Sequence, residues 1–197
     1  MKKLLLIINP IAGKKRGIDF LLEIVKRFED VGYQVETRYT EIDKNATVVT
    51  LNYGEDKDLI VCCGGDGTLK ETICGVMTLE SSAKIGYIPM GTTNDFAHSL
   101  HIPTDPLEAV DTIINGKELK VDIGDFNGDE QFIYVSCFGN FCDVSYKAKQ
   151  KLKNKIGRGA YYWETAKEVH KIRKKKKKIQ CEDGEIIEGN FFYGGVS

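Results

Sequence analysis

The chain has 197 residues, of which 42% are hydrophobic and 29% charged. Its 28 Lys and Arg against 29 Asp and Glu leave a formal net charge of −1, so no nucleic-acid partner is expected. The apolar content excludes disorder, 4 Pro exclude a collagen-like chain, and no apolar run approaches the roughly 20 residues of a membrane-spanning helix.

The pattern begins with Leu4–Asn9, a continuous apolar run that predicts a strand covered on both faces. It stops at Asn9-Pro10, short of the roughly 7–15 apolar residues of a signal peptide, and a cytoplasmic protein is expected. Phe20, Leu21, Ile24, Val25 and Phe28 recur at helical spacing within Ile18–Asp30, with Gly32 as the stop. Val35–Thr40 reads as a strand, Ala46–Tyr53 as a helix and Leu59–Cys63 as a second buried strand. A helix is predicted from about Thr68 to Met77, then a strand over Lys84–Pro89. Asp105-Pro106-Leu107-Glu108 is a strong helix start, with an acidic N-cap, proline at N1 and Glu at N3, and that helix ends at Asn115-Gly116. Strands alternating with helices predict an α/β fold, a mostly parallel sheet flanked by helices.

The pattern changes after about residue 118. Leu119, Val121 and Ile123 alternate with polar residues, Asn127-Gly128 reads as a hairpin turn and Gln131–Phe138 as the return strand. A helix is expected over 160–173, and a hairpin joins Lys177–Glu182 to Glu185–Tyr193 through Asp183-Gly184. This half is therefore predicted to be β-rich and antiparallel, with a boundary between 1–125 and 126–197. A chain ending inside a strand at Gly194-Gly195-Val196-Ser197 reads as cut short. The Lys174–Lys178 run reads as a solvated helix end or a charged strand edge, with attraction to anionic lipid as the functional alternative. The six cysteines, Cys62, Cys63, Cys74, Cys137, Cys142 and Cys181, contain no C-x-x-C pair and read as reduced thiols.

The strongest chemical signal is Gly64-Gly65-Asp66-Gly67-Thr68 between a buried strand and a helix. Glycines allow close backbone approach, and a helix start offers free N–H groups to phosphate. The bland reading is a tight turn, with Thr68 and Glu71 as a capping box. A carboxylate at Asp66 is repulsive to phosphate unless a cation lies between them. Asn9-Pro10-Ile11-Ala12-Gly13-Lys14-Lys15-Arg16 and Gly91-Thr92-Thr93-Asn94-Asp95-Phe96-Ala97 follow two other strands on the same side of the sheet. Ligands of open α/β sheets bind outside the carboxyl ends of the strands, so one nucleotide site explains all three loops.

Together with Val121-Asp122-Ile123-Gly124, these segments resemble the diacylglycerol kinase-like lipid kinase family, which includes sphingosine and ceramide kinases. The glycine-aspartate motif alone also occurs in NAD kinases, and slightly changed in phosphofructokinases. Gly91-Thr92-x-Asn94-Asp95-Phe96 separates lipid kinases from both, and the likeness is closest to soluble bacterial diacylglycerol kinases.

The resemblance implies a Rossmann-like ATP-binding domain over 1–125 and part of a β-rich lipid-binding domain over 126–197. It implies that Asn9, Pro10, Ile11, Ala12, Gly13, Thr40, Gly65, Asp66, Gly67, Thr68, Leu69, Lys70, Glu71 and Thr92 line the ATP site. Asp66, Asp95 and Asp122 match the catalytic acids, and Asp66 is the implied Mg²⁺ residue. Ala12 stands where many relatives carry Ser, and Lys70 where Asn is common. The implied reaction moves the γ-phosphoryl group of ATP to a lipid hydroxyl, with diacylglycerol giving phosphatidic acid in phospholipid biosynthesis. The implied partners are a lipid substrate met at the inner membrane surface by peripheral contact, and a second copy in a homodimer. The family's late base has no counterpart here, because Asp183-Gly184-Glu185 fits an earlier hairpin; Glu185 is therefore not assigned as the base. Little lipid phosphorylation is expected of these residues alone. The alternatives are a nucleotide-binding fragment without turnover and, less favoured, an NAD kinase.

Overall fold

The structure is a computed structural model that describes residues 1–12, 19–41, 45–126, 130–139, 174–181 and 183–196. The expected helix over 160–173, the Asn127-Gly128 turn, Cys142 and the loop residues Gly13 to Arg16 lie outside the described residues.

The contacts divide the chain into two compact units, Met1–Tyr134 and Val135–Ser197. In the first, β1 (Lys2–Ile8), β2 (Tyr33–Tyr39), β3 (Leu59–Gly64) and β4 (Lys84–Pro89) form a parallel sheet in the order β2-β1-β3-β4. Leu4 lies opposite Val35 on one side and Leu59 on the other, and Leu59 in turn opposite Lys84. Leu4 to Ile8 and Leu59 to Gly64 are buried, as a strand sandwiched between helical layers requires.

Two helical layers cover this sheet. On one face α1 (Leu21–Asp30) and α5 (Pro106–Asn115) bring Ile24, Phe28, Ala109 and Val110 onto Leu4, Leu6, Ile8, Val61 and Cys63. Arg27 joins the two helices, donating to Glu23 at 3.1 Å and to Asp111 at 2.7 Å. Gly32, at φ +90°, turns the chain from α1 into β2. Asp105 caps α5 as the sequence predicts, its carboxylate accepting from Leu107 and Glu108 N–H.

The opposite face carries α2 (Ala46–Tyr53), α3 (Asp66–Thr78) and the short α4 (Asp95–Ser99). Cys62 and Cys63 enter separate cores, Cys62 with Leu69, Ile73, Tyr87 and Ala97, Cys63 with Leu4 and Ile88. Helices α2 and α3 are locked together by polar bonds. The Glu71 carboxylate accepts from Ala46 N–H at 3.0 Å, and Thr47 Oγ1 donates to the Glu71 carbonyl at 2.9 Å. At their crossing a Cβ on Gly75 would lie 2.5 Å from the Thr50 Cβ. Gly75→Ala is therefore expected to wedge the helices apart and lower stability by about 1–3 kcal/mol, read by urea unfolding.

At the amino ends of the strands, Lys57 is nearly buried between Glu36 at 3.0 Å and Asp56 at 2.5 Å. Lys3 reaches Asp56 from the other side at 2.6 Å. Hydrogen bonds from Lys3 and then Lys57 hold the Asp56 carboxyl down to about 2, from an ordinary 3.8. A depressed carboxyl stabilises the fold above its unfolded value, and the gain disappears as pH falls through the folded value. Asp56→Asn is therefore expected to flatten the loss of thermal stability between pH 4 and 2 seen by circular dichroism in the parent.

Three expectations are corrected here. The helix expected from Thr68 starts at Asp66, with Gly65 as its N-cap. Thr68 thus sits inside the first turn, and Glu71 is committed to Ala46, so the two make no capping box. No strand forms over residues 117–123; Leu119 and Val121 are exposed, and only Ile123 packs against the core. The alternation had no partner strand to pair with. The single return strand is instead two: β6 (Glu130–Phe132) pairs with β5 (Gly124–Phe126), and β7 (Ser136–Gly139) pairs with β10 (Tyr193–Val196). The break at Ile133–Val135 is where the partner changes. The β5–β6 pair belongs to the first unit, which the contacts carry to Tyr134.

In the second unit, β8 (Lys175–Gln180) and β9 (Ile186–Phe191) form the predicted hairpin, turned by Gly184 at φ +88°. The lysine run is thus a strand rather than a helix end. Its pleat separates Lys178, opposite Glu188, from Lys177, whose ammonium lies 5.8 Å from the Phe138 ring centre.

Candidate active site at the carboxyl ends of the strands

The order β2-β1-β3-β4 places a topological switch between β1 and β3, because the chain leaves β1 toward β2 and later returns on the other side. The loops following β1, β3 and β4 are pinned there by extensions of the ladder. Thr40 N–H donates to the Ile8 carbonyl at 2.9 Å, Asn9 N–H to Cys63 at 2.9 Å, and Met90 N–H to Gly64 at 2.7 Å. Four strand ends are thereby held in one row.

Asn9 makes the first link between loops. Its Nδ2 donates to Thr68 Oγ1 at 2.9 Å, and its Oδ1 accepts from Ile11 N–H at 3.2 Å. The loop after β1 is so folded over the start of α3, with Ile11 fully turned outward and Ala12 packed toward the core. Pro10 is half-buried at the turn between them.

Gly65 and Gly91 make the second link. A Cβ on Gly91 would fall 2.6 Å from the Gly65 Cα, and one on Gly65 would fall 3.2 Å from the Gly91 Cα. Only glycine lets the two backbones touch. Gly67 differs, since a Cβ there meets nothing within 4 Å. Gly67 lies in the first turn of α3, where the free N–H groups of a helix start favour an anion.

Asp66 makes the third link. Expected in a loop, it is instead the first residue of α3, and its carboxylate spans to the next loop. Oδ1 accepts from Phe96 N–H at 3.1 Å and Oδ2 from Thr93 Oγ1 at 3.4 Å. An ionised carboxylate has about four lone-pair sites, so Asp66 keeps capacity for a hard cation such as Mg²⁺. Asp95 opens α4 beside it. Both carboxylates act on Tyr87: burial first, and then Asp66 ahead of Asp95, push its hydroxyl well above the ordinary 10. Asp122 is exposed and precedes Ile123, which packs against the Tyr87 and Phe96 cluster.

The remaining expected residues divide by side chain. Thr40 is buried at the end of β2, and Thr92 is exposed in the loop after β4. Leu69 points into the core at 1% exposure, and Glu71 holds α2, so each offers the cleft only its backbone. Lys70 is half-buried on α3. The sequence reading missed Tyr87 and the inward turn of Asn94; the bland reading of that loop is a helix start capped by Asn94 or Asp95. Asn94 makes no side-chain cap; it bonds back to Gly91, three residues earlier. An Asn at that distance from a glycine was the available signal.

The diacylglycerol kinase catalytic domain family matches residues 3–126, the span that carries all three linked loops. The chain belongs to that family. Diacylglycerol kinase of Staphylococcus carnosus is 36% identical over 189 residues, covering 95% of this chain and 61% of the relative. Diacylglycerol kinase of Bacillus subtilis is 36% identical over 191 residues, covering 96% and 62%. The crystal structure of a diacylglycerol kinase from Bacillus anthracis superposes with a TM-score of 0.74 at 29% identity, covering 98% of this chain and 63% of that one. The chain thus spans about three fifths of the relatives it matches. In this family setting, no helix among the described residues is long and apolar enough to cross a membrane.

Proposed function

We propose that this chain supplies the nucleotide-binding half of an ATP-dependent lipid kinase, a phosphotransferase that makes phosphatidic acid from diacylglycerol. The observation that carries the reading is the contact of Gly65 with Gly91 beside Asp66, at the ends of β3 and β4 and next to the switch point of a diacylglycerol kinase catalytic domain. ATP phosphates would lie against the N–H groups of Gly65 to Thr68, with Asn9 to Gly13, Thr40 and Thr92 along the nucleotide. Asp66 would hold Mg²⁺, with Asp95 and Asp122 near the transferred group. When bound, the cation neutralises phosphate charge that would otherwise repel the carboxylates.

In the reaction the lipid hydroxyl oxygen bonds to the γ-phosphorus, the bond to the bridging oxygen breaks with ADP leaving, and the hydroxyl proton passes to solvent. Phosphoryl transfer depends chiefly on positioning and charge, which loops fixed to strand ends supply. The enzyme would work in the cytoplasm and meet its lipid at the membrane surface.

Calorimetric titration of the chain with ATP, with and without Mg²⁺, tests the nucleotide half; saturable Mg²⁺-dependent binding is expected. The acceptor is tested on the chain continued by the corresponding C-terminal part of the Bacillus subtilis relative. Labelled ATP is offered with diacylglycerol, ceramide, sphingosine or NAD. Label in phosphatidic acid is expected, whereas label in NADP, or in no product, overturns the assignment.

A further inference from the structure

Asn94 occupies a conformation that an asparagine adopts only at some cost. Its backbone is left-handed, at φ +49° and ψ +49°, yet it is 6% exposed and not at a surface turn tip. Its side chain explains what holds it there. Oδ1 accepts from Gly91 N–H at 2.7 Å, and Nδ2 donates to the Gly91 carbonyl at 3.2 Å. One amide therefore grips both polar groups of one glycine. The Tyr87 hydroxyl, buried on β4, donates to the same Oδ1 at 3.4 Å. Because Gly91 N–H can only donate and its carbonyl only accept, the glycine itself selects which end of the Asn94 amide faces it, and Tyr87 packs a further hydrogen bond behind that arrangement.

The two neighbours of this grip are the two groups that shape the cleft. In one direction Gly91 is the backbone that touches Gly65. In the other, Asn94 directs the chain into α4, where Phe96 N–H meets the Asp66 carboxylate. We propose that Asn94, backed by Tyr87, is a positioning residue that sets the spacing of the two glycine loops and the aim of Asp66. The inference rests on the nucleotide-site reading above, but its first test needs no nucleotide.

The bland account is that Asn94 serves only to tolerate a left-handed backbone, which glycine does better. Asn94→Gly separates the two, because it keeps the backbone and deletes the amide. Amide hydrogen exchange at Gly91 and Phe96, read by NMR in the nucleotide-free chain, is expected to speed at least 10-fold relative to the parent. MgATP binding is expected to weaken at least 10-fold, and Tyr87→Phe to move both readouts the same way by a smaller factor.

Asn94→Asp adds a readout that simple packing does not move. Its ionised carboxylate faces the Gly91 carbonyl with no donor, whereas its neutral form again pairs an acceptor with an O–H donor. Tyr87 adjoins it, and Asp66, Cys62, Asp95 and Cys63 all act on that hydroxyl; of these, the two carboxylates are expected to raise the pH at which the new acid becomes neutral. Exchange and affinity, each taken relative to the parent at the same pH, are expected to recover as pH falls from 8 to 5. Parent-like exchange in Asn94→Gly, or a flat pH profile in Asn94→Asp, overturns the proposal. A parent chain that binds no MgATP removes the nucleotide reading, while the exchange rates still decide the role of Asn94.

Discussion

Gly91→Ala is expected to disrupt both the fold around the cleft and nucleotide binding, whereas Gly67→Ala is expected to disrupt binding alone. The new methyl at residue 91 meets the Gly65 Cα at 2.6 Å and Asn94 Oδ1 at 2.5 Å. Neither neighbour is the free end of a flexible side chain, so the loops must separate. Overpacking of this kind costs about 1–3 kcal/mol or more, and affinity for MgATP should fall at least 100-fold. At residue 67 the methyl enters open space, and stability should stay within about 0.5 kcal/mol. If phosphate occupies that space, Gly67→Ala still loses affinity with its melting temperature intact. Melting curves and calorimetry on the two variants separate glycine used for protein packing from glycine used for ligand approach. Equal MgATP affinity in Gly67→Ala and the parent would move the phosphate elsewhere.

Asp66 should show two effects that two substitutions can divide. Its carboxylate accepts the Phe96 N–H at 3.1 Å across to α4. Hydrogen bonds to charged groups are worth about 1.5–3 kcal/mol, so Asp66→Ala is expected to lower the melting temperature by roughly 5–10 °C. Asp66→Asn keeps an oxygen for Phe96 and removes the charge. It is expected to melt within a few degrees of the parent yet lose Mg²⁺-dependent ATP binding, as the alanine variant does. An Asn variant that binds MgATP normally would leave Asp66 as a brace between helices and nothing more.

Much of the first unit was legible because its signals are local. Lys84–Pro89 ends as a strand at a proline, Ala46–Tyr53 begins after the Asn45 cap, and Asp105 caps its helix as composed. Long-range pairing carries no such signal. Leu119, Val121 and Ile123 alternate as a strand would, but alternation does not provide a neighbour. Gln131–Phe138 reads as one strand, although its two ends pair with segments far apart in the chain. At the site, the glycines and Asp66 announced themselves by type. Glu71 did not reveal its commitment to Ala46, nor Leu69 its burial, because a motif fixes spacing and not which way each side chain turns. Tyr87 was silent for a related reason. In a strand of apolar residues an aromatic ring reads as core, and only the fold shows its hydroxyl reaching Asn94.

The adjacent thiols of β3 provide the protein with a pair of internal clocks. Burial pushes the Cys62 thiol up to about 12 and raises that of Cys63 further, so neither supplies a thiolate to an alkylating reagent while the sheet is closed. Cys62 is covered by α3 and α4, and Cys63 by the layer of α1 and α5. Modification of one thus times the opening of the layer of α3 and α4, and modification of the other times the layer of α1 and α5. Fragmentation mass spectrometry of the single peptide containing both would tell whether the two layers come off the sheet together or in turn. A ligand gripping the glycine loops should slow the Cys62 clock more than its neighbour's.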